Sequence, residues 1–153
     1  MLIHTSDEAD TELLGRAVGE RLFPGALILL EGELGAGKTV FARGVGRGLG
    51  VRGPIGSPTF NILIVYNGRL PFHHFDLYRL EDDEELFELG IDEYLEGDGV
   101  TLVEWAGKFG RFFSQPALSV EVARLGDNER SVSLSAHGAE YVPILEEIMR
   151  LRG

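Results

Sequence analysis

Leu27-Ile28-Leu29-Leu30-Glu31-Gly32-Glu33-Leu34-Gly35-Ala36-Gly37-Lys38-Thr39 is the stretch on which the reading of this chain turns. Leu27 to Leu30 run apolar without a break, as in a strand covered on both faces. Gly32 to Thr39 then spell G-x-x-x-x-G-K-[ST], the phosphate-binding loop, and helical spacing follows from Lys38. The residue types suit that task. Backbone N–H groups must converge on phosphate oxygens, and Gly32, Gly35 and Gly37 allow the close approach and positive φ that this requires. The start of the next helix adds free N–H groups and the positive end of its dipole. Lys38 would reach the β- and γ-phosphates, and the Thr39 hydroxyl would be a Mg²⁺ ligand.

Upstream, residues 2 to 4 predict a short edge strand. Thr5-Ser6-Asp7 offers helix N-caps, and Ala9, Leu13, Leu14, Ala17, Val18 and Leu22 predict a helix from Asp7 to Leu22, stopped by Pro24-Gly25. Downstream, Val40, Phe41, Val45 and Leu49 mark the helix that follows the loop, ended by Gly50. Its Gly44, Gly46 and Gly48 are costly in a helix, so close packing under a sheet is expected, with flexibility as the alternative. Past the breaker-rich segment Gly53 to Thr59, Phe60–Tyr66 and Leu70–Phe75 predict an antiparallel hairpin turning at Asn67-Gly68.

The acidic block Glu81 to Glu85 opens a helical region that runs through Leu86, Leu89 and Ile91 to Tyr94-Leu95. It reads as a solvated first turn, where carboxylates suit the dipole, or as a docking patch for a basic partner. Val100 to Trp105 is a second buried strand, Phe109 to Gln115 is ambiguous with a short helix as one reading, Leu118–Ala123 and Ser131–Ala136 form a second hairpin, and Tyr141–Leu151 is a closing helix. Together these predict an α/β fold in one domain over residues 1–153, a P-loop NTPase-like three-layer sandwich. Its sheet is expected to be mixed and mainly parallel, carrying antiparallel hairpins.

Composition narrows the function. The chain has no cysteine, which excludes disulfides, cysteine-ligated zinc and thiol catalysis. No apolar run approaches the roughly 18 residues of a membrane helix, and the N-terminus lacks a basic start and apolar core, so a cytoplasmic location without membrane contact is expected. The net charge is −11, from 25 acidic against 14 basic residues. A protein that grips nucleic-acid backbones needs a basic face, so autonomous tRNA or DNA binding is disfavoured and a charge-complementary protein partner is the easier reading.

Chemistry in parallel α/β sheets gathers beyond the carboxyl ends of the strands. Glu104 ends an apolar strand there and is the candidate second carboxylate for Mg²⁺, against the reading of an ordinary strand-end acid. Asp76, in His73-His74-Phe75-Asp76-Leu77-Tyr78-Arg79, is placed to order an attacking water or the Mg²⁺ shell. The adjacent histidines point to opposite faces of a strand, which argues against a shared metal ion and for structural roles. Trp105, the only tryptophan, reads equally as a core or rim aromatic and as a neighbour of the nucleotide or a partner. Thr59 reads equally as a plain turn residue and as a hydroxyl that senses a γ-phosphate.

Taken together, Leu30 to Thr39, Ser57-Pro58-Thr59-Phe60, His74-Phe75-Asp76-Leu77-Tyr78-Arg79-Leu80, Glu85 to Tyr94 with Leu89-Gly90-Ile91, and Leu102-Val103-Glu104-Trp105 resemble the TsaE (YjeE) family of bacterial P-loop ATPases. The resemblance runs from about Asp7 to Arg130. It implies an ATPase required for N6-threonylcarbamoyladenosine (t6A) at position 37 of tRNA. Such a protein binds and hydrolyses ATP with Mg²⁺ to support turnover of the TsaB–TsaD complex, meets tRNA only through that complex, and does not itself transfer the threonylcarbamoyl group. It further implies Lys38, Asp76 and Glu104 as catalytic residues, and Leu34, Gly35, Ala36, Gly37, Lys38 and Thr39 as phosphate binders. Thr39 and Glu104 would hold Mg²⁺, with Glu8, Trp105 and Arg130 as further nucleotide contacts. Family members often carry Pro after the Trp, where this chain has Ala106, which bears on contacts from Gly107 or Lys108. A nucleotide-gated binding module whose hydrolysis is incidental is the alternative. A small-molecule kinase is weaker, since no Arg-rich lid is evident over the loop.

Overall fold

The computed structural model describes residues 1–152. Its frame is a seven-stranded sheet with order β1-β7-β6-β2-β5-β4-β3. The strands are β1 (Leu2–Thr5), β2 (Leu27–Glu31), β3 (Leu63–Asn67), β4 (Pro71–Asp76), β5 (Val100–Glu104), β6 (Ala117–Arg124) and β7 (Arg130–His137). The central strands β6, β2, β5 and β4 run parallel. Antiparallel partners flank them, β3 on β4 at one edge and β7 with β1 at the other. Helices α1 (Glu8–Gly19), α2 (Lys38–Gly48) and α5 (Val142–Arg152) cover one face, while α3 (Asp83–Glu88), α4 (Ile91–Glu96) and the 3₁₀ segment Ala106–Phe112 cover the other.

The three layers follow from side-chain alternation. On β2, Ile28 and Leu30 join Leu14, Val18, Phe41 and Val45 in one core, while Leu27 joins Phe75, Leu86 and Phe113 in the other. On β5, Leu102 faces the first core and Val103 the second. The unbroken apolar run of β2 is therefore that of a strand buried on both sides.

Helix α1 begins where Asp7 accepts a hydrogen bond from the Asp10 N–H at 2.8 Å. It stops at Gly19, short of the expected Leu22, and Arg21 and Leu22 continue as turns. The glycines of α2 separate into two sets. A Cβ on Gly44 or Gly48 would overlap the carbonyl oxygens of Glu12 or Arg16 on α1, and Gly15 and Gly19 of α1 meet α2 in the same way. Only Gly46 lies against Ile55 and the sheet residue Phe72. The expectation of packing under the sheet is thus corrected for two of the three: they let two helix backbones touch.

The strand expected from Phe60 begins at Leu63. Ile62 has φ +67°, a conformation that β-branched residues rarely adopt, and its N–H donates to the Pro58 carbonyl at 2.6 Å. This turn ends the preceding loop and leaves Phe60 83% exposed. The ambiguous stretch after Trp105 is the 3₁₀ segment Ala106–Phe112, and the closing helix starts at Val142, after a short turn that contains Tyr141. In the acidic block, Asp82 caps α3 by accepting from the Glu85 N–H, and Glu85 accepts from the Glu81 N–H. These are the contacts of a solvated helix start.

Candidate functional site

Strand β2 delivers the Gly32–Thr39 turn to the carboxyl edge of the parallel strands, and α2 leaves from it. Gly32, Gly35 and Gly37 have φ of +154°, +79° and +104°, so each occupies backbone space that other residues enter at a cost. Gly37 is the N-cap of α2 and brings no side chain to its free N–H groups, which suits an external anion. A cavity of about 300 Å³ opens there, lined among others by Leu34, Lys38, Thr39, Thr59, Asp76 and Glu104. A cavity of about 680 Å³ lies on the far side of the same loop, beside Glu121 and Arg124, and contains neither Lys38 nor Thr39.

Three charged side chains at the smaller cavity are almost wholly enclosed, Lys38, Asp76 and Glu104 being exposed by 6%, 4% and 3%. Asp76 and Glu104 stand directly opposite each other at the ends of β4 and β5. Their strand parity matches Phe72 and Leu102, so both face the α2 side of the sheet. The Asp76 carboxylate accepts from the Thr59 hydroxyl at 2.9 Å and from the Tyr78 N–H at 3.0 Å. Ser57 and Thr59 hydroxyls are 2.6 Å apart, which ties the Ser57-Pro58-Thr59 loop to the end of β4. Lys38 donates to the Gly32 carbonyl and lies 4.0 Å from the centre of the Trp105 ring. Burial pushes the Lys38 pKa down, while Glu104, Asp76 and Glu31 act against that shift.

Trp105 has φ +63° and takes the chain out of β5 in a left-handed turn. Its ring packs against Tyr78 at 5.0 Å, so it forms a rim over Lys38 rather than part of either deep core. Gly107 and Lys108 are engaged elsewhere. The Gly107 N–H donates to Glu31 at 2.9 Å, and Lys108 donates to the Tyr78 and Leu80 carbonyls at 2.8 and 2.7 Å.

Each expected residue can now be placed. Leu34 is 66% exposed at the mouth of the cavity, and Ala36 is buried with its carbonyl accepting from Arg130 Nε at 2.6 Å. Glu8 pairs with Arg43 at 3.0 Å and, with Gly37, Val40 and Arg130, lines a small hollow beside the loop. The structure therefore brings Lys38, Thr39, Asp76, Glu104 and Trp105 together at one cavity, with Arg130 bracing the loop and Glu8 on its flank.

Sequence reasoning missed how the second wall is held. His74 Nε2 lies 2.6 Å from Glu104 Oε2. His73, on the opposite face, meets Thr101 at 3.1 Å and the Tyr94 ring at 4.8 Å. The expected divergence of the two histidines is present, but one of them holds a candidate site residue. The shared parity of His74, Asp76 and Glu104 was the available signal, and reading it needed the β4–β5 register.

The residues fit a metal–polyphosphate better than either ligand alone. The cavity sets two carboxylates, Asp76 and Glu104, against Lys38 and Arg130, so a bare polyphosphate would lie beside two buried acids that a cation could bridge. No group of three or more His, Cys, Asp or Glu among the described residues could hold a metal ion unaided. Magnesium is commonly held by one or two carboxylates plus substrate phosphates, and Glu104 with the Thr39 hydroxyl matches that donor set.

Sheet, helical layers and the Gly32–Thr39 turn define a protein of P-loop NTPase-like fold. The crystal structure of Bacillus subtilis YdiB superposes with a TM-score of 0.85 at 35% identity, covering 100% of this chain and 96% of that one. The family profile "Threonylcarbamoyl adenosine biosynthesis protein TsaE" matches residues 5–132, and the chain belongs to that family. The tRNA threonylcarbamoyladenosine biosynthesis protein TsaE of Bacillus subtilis is 42% identical over 95% of this chain and 92% of its own. Its Treponema pallidum counterpart is 37% identical over 82% and 93%. Among the described residues no helix is long and apolar enough to cross a membrane.

Proposed function

We propose that this chain binds Mg²⁺ and ATP at Gly32–Thr39 and hydrolyses the ATP slowly, in support of t6A formation on tRNA by the TsaB–TsaD complex. The observation that carries the reading is the meeting of the loop with Asp76 and Glu104, opposite each other in register and lining one cavity with Lys38 and Thr39. Backbone N–H groups from Leu34 to Thr39 hold the phosphates, and Lys38 leaves the Gly32 carbonyl to join them. Thr39 and Glu104 would hold Mg²⁺, whose charge offsets that building on the phosphates. Asp76, fixed by Thr59 and Tyr78, orients the attacking water. Leu34 stands exposed at the mouth, and Phe60 is exposed next in the chain to the cavity-lining Thr59, so the site is open to completion by a partner. The acidic chain leaves tRNA to the partner complex, and its work belongs in the cytoplasm with that complex.

The link between Thr59 and Asp76 favours a second reading, a nucleotide-gated binding module in which ATP orders the Ser57–Thr59 loop for a partner and hydrolysis is incidental. Glu104→Ala separates the two. The hydrolytic reading expects a variant that still binds ATP but no longer sustains repeated t6A formation in a reconstituted TsaB–TsaD–TsaC system. Full modification without hydrolysis establishes the gated module instead.

A further inference from the structure

His74 is completely buried, and its ring lies nearly parallel to Phe72, with centroids 5.9 Å apart and planes at 16°. Its Nδ1 is the buried side-chain atom among the described residues that has no hydrogen-bond partner. A carboxylate oxygen accepts, so Nε2 is the donor in the 2.6 Å contact with Glu104 Oε2. Packing alone gives no use for an imidazole here. An apolar side chain would pack against Phe72 without leaving a polar atom unpaired. What the imidazole adds is one fixed bond to one oxygen of Glu104.

A carboxylate held by one oxygen cannot turn freely, so its other oxygen is aimed. Asp76 beside it is fixed through both oxygens, by Thr59 and Tyr78. For Glu104 the bond to His74 is the side-chain contact that does this work, and Glu104 lines the cavity with Thr39 while His74 lies behind it. We propose that His74 is a positioning residue, which orients the Glu104 carboxylate so that its free oxygen is presented to the Mg²⁺ bound with the nucleotide. This rests on the Mg²⁺–ATP reading above. Groups that orient a metal ligand in this way typically change metal affinity about 10- to 100-fold when removed.

The test is a calorimetric titration of ADP into wild type, His74→Phe and His74→Gln, over a series of Mg²⁺ concentrations and in EDTA. Phenylalanine keeps the ring and removes the donor, whereas the glutamine amide N–H can restore the donor. The expected result is a Mg²⁺ requirement at least tenfold higher for His74→Phe. Its ADP affinity in EDTA should match wild type, and His74→Gln should recover most of the difference. Equal Mg²⁺ requirements for wild type and His74→Phe would overturn the proposal. A wild type whose ADP affinity ignores Mg²⁺ would instead overturn the Mg²⁺–nucleotide reading. If His74→Phe does not fold, nitrogen NMR of the histidine side chains in wild type decides. Protonation of His74 on Nε2, with a signal that moves in Glu104→Gln, supports the proposal, and protonation on Nδ1 contradicts it.

Discussion

The two walls of the candidate site are held in different ways. The phosphate-loop wall stands on backbone packing, because Gly15 and Gly19 of α1 meet α2 where Gly44 and Gly48 leave no room for a side chain. The opposite wall, at the ends of β4 and β5, stands on side-chain hydrogen bonds, Thr59 to Asp76 and His74 to Glu104. The first wall is all-or-none, since one added methyl group must push two helices apart. The second is graded, since each bond can be removed alone. Damage to the first wall should therefore appear as lost stability, and damage to the second as lost chemistry in a protein that still folds.

The hardest test of that contrast is Gly44→Val. Its Cβ would overlap the Glu12 carbonyl oxygen, which is backbone and cannot swing aside. We expect a destabilisation of about 3 kcal/mol or more in urea unfolding. Near-wild-type stability would mean that the α1–α2 contact adapts and the wall is not rigid. On the other side, Asp76→Asn keeps an acceptor for the Tyr78 N–H and a partner for Thr59 but loses the negative charge. ATP turnover should fall about 100-fold while the melting temperature stays close to wild type. A large drop in melting temperature would show that the second wall is structural too.

Thr59→Val sharpens the same comparison at smaller scale. It removes the hydroxyl that donates to Asp76 at 2.9 Å and leaves the shape. An effect on turnover of about fivefold is expected, the size of one ordinary hydrogen bond near 1 kcal/mol. The smallest effect concerns His73, on the face away from the loop. Burial lowers its pKa below 6.5. The unfolded chain then binds the proton more readily than the folded one, so stability falls as pH drops below about 6.5 toward the folded value. Unfolding at about pH 5 and about pH 7.5 should show a shallower pH dependence for His73→Gln than for wild type. An unchanged slope would assign the acid sensitivity to other groups.

The same division governs what the sequence disclosed. The β2–loop–α2 unit was legible because its demands are local: an apolar strand, glycines at positive φ, and Lys38-Thr39 at a helix start. Asp76 and Glu104 were legible as strand-end acids. Their alignment, and the bond from His74, depend on register between segments about 30 residues apart, which no single stretch encodes. Gly44 and Gly48 could be recognised as unusual in a helix, but only the approach of α1 explains them. Ile62 has no local turn signal, so the strand was expected to start three residues too early, at Phe60 rather than Leu63.

The most direct test of the central claim is ATP turnover by this protein, alone and with TsaB–TsaD added, with Lys38→Ala as the blank. Slow turnover alone that rises with the pair, and vanishes in the blank, is the expected result. An equal rate with and without the pair would contradict the account: the chemistry would be self-contained, and the link between hydrolysis and tRNA modification would fall.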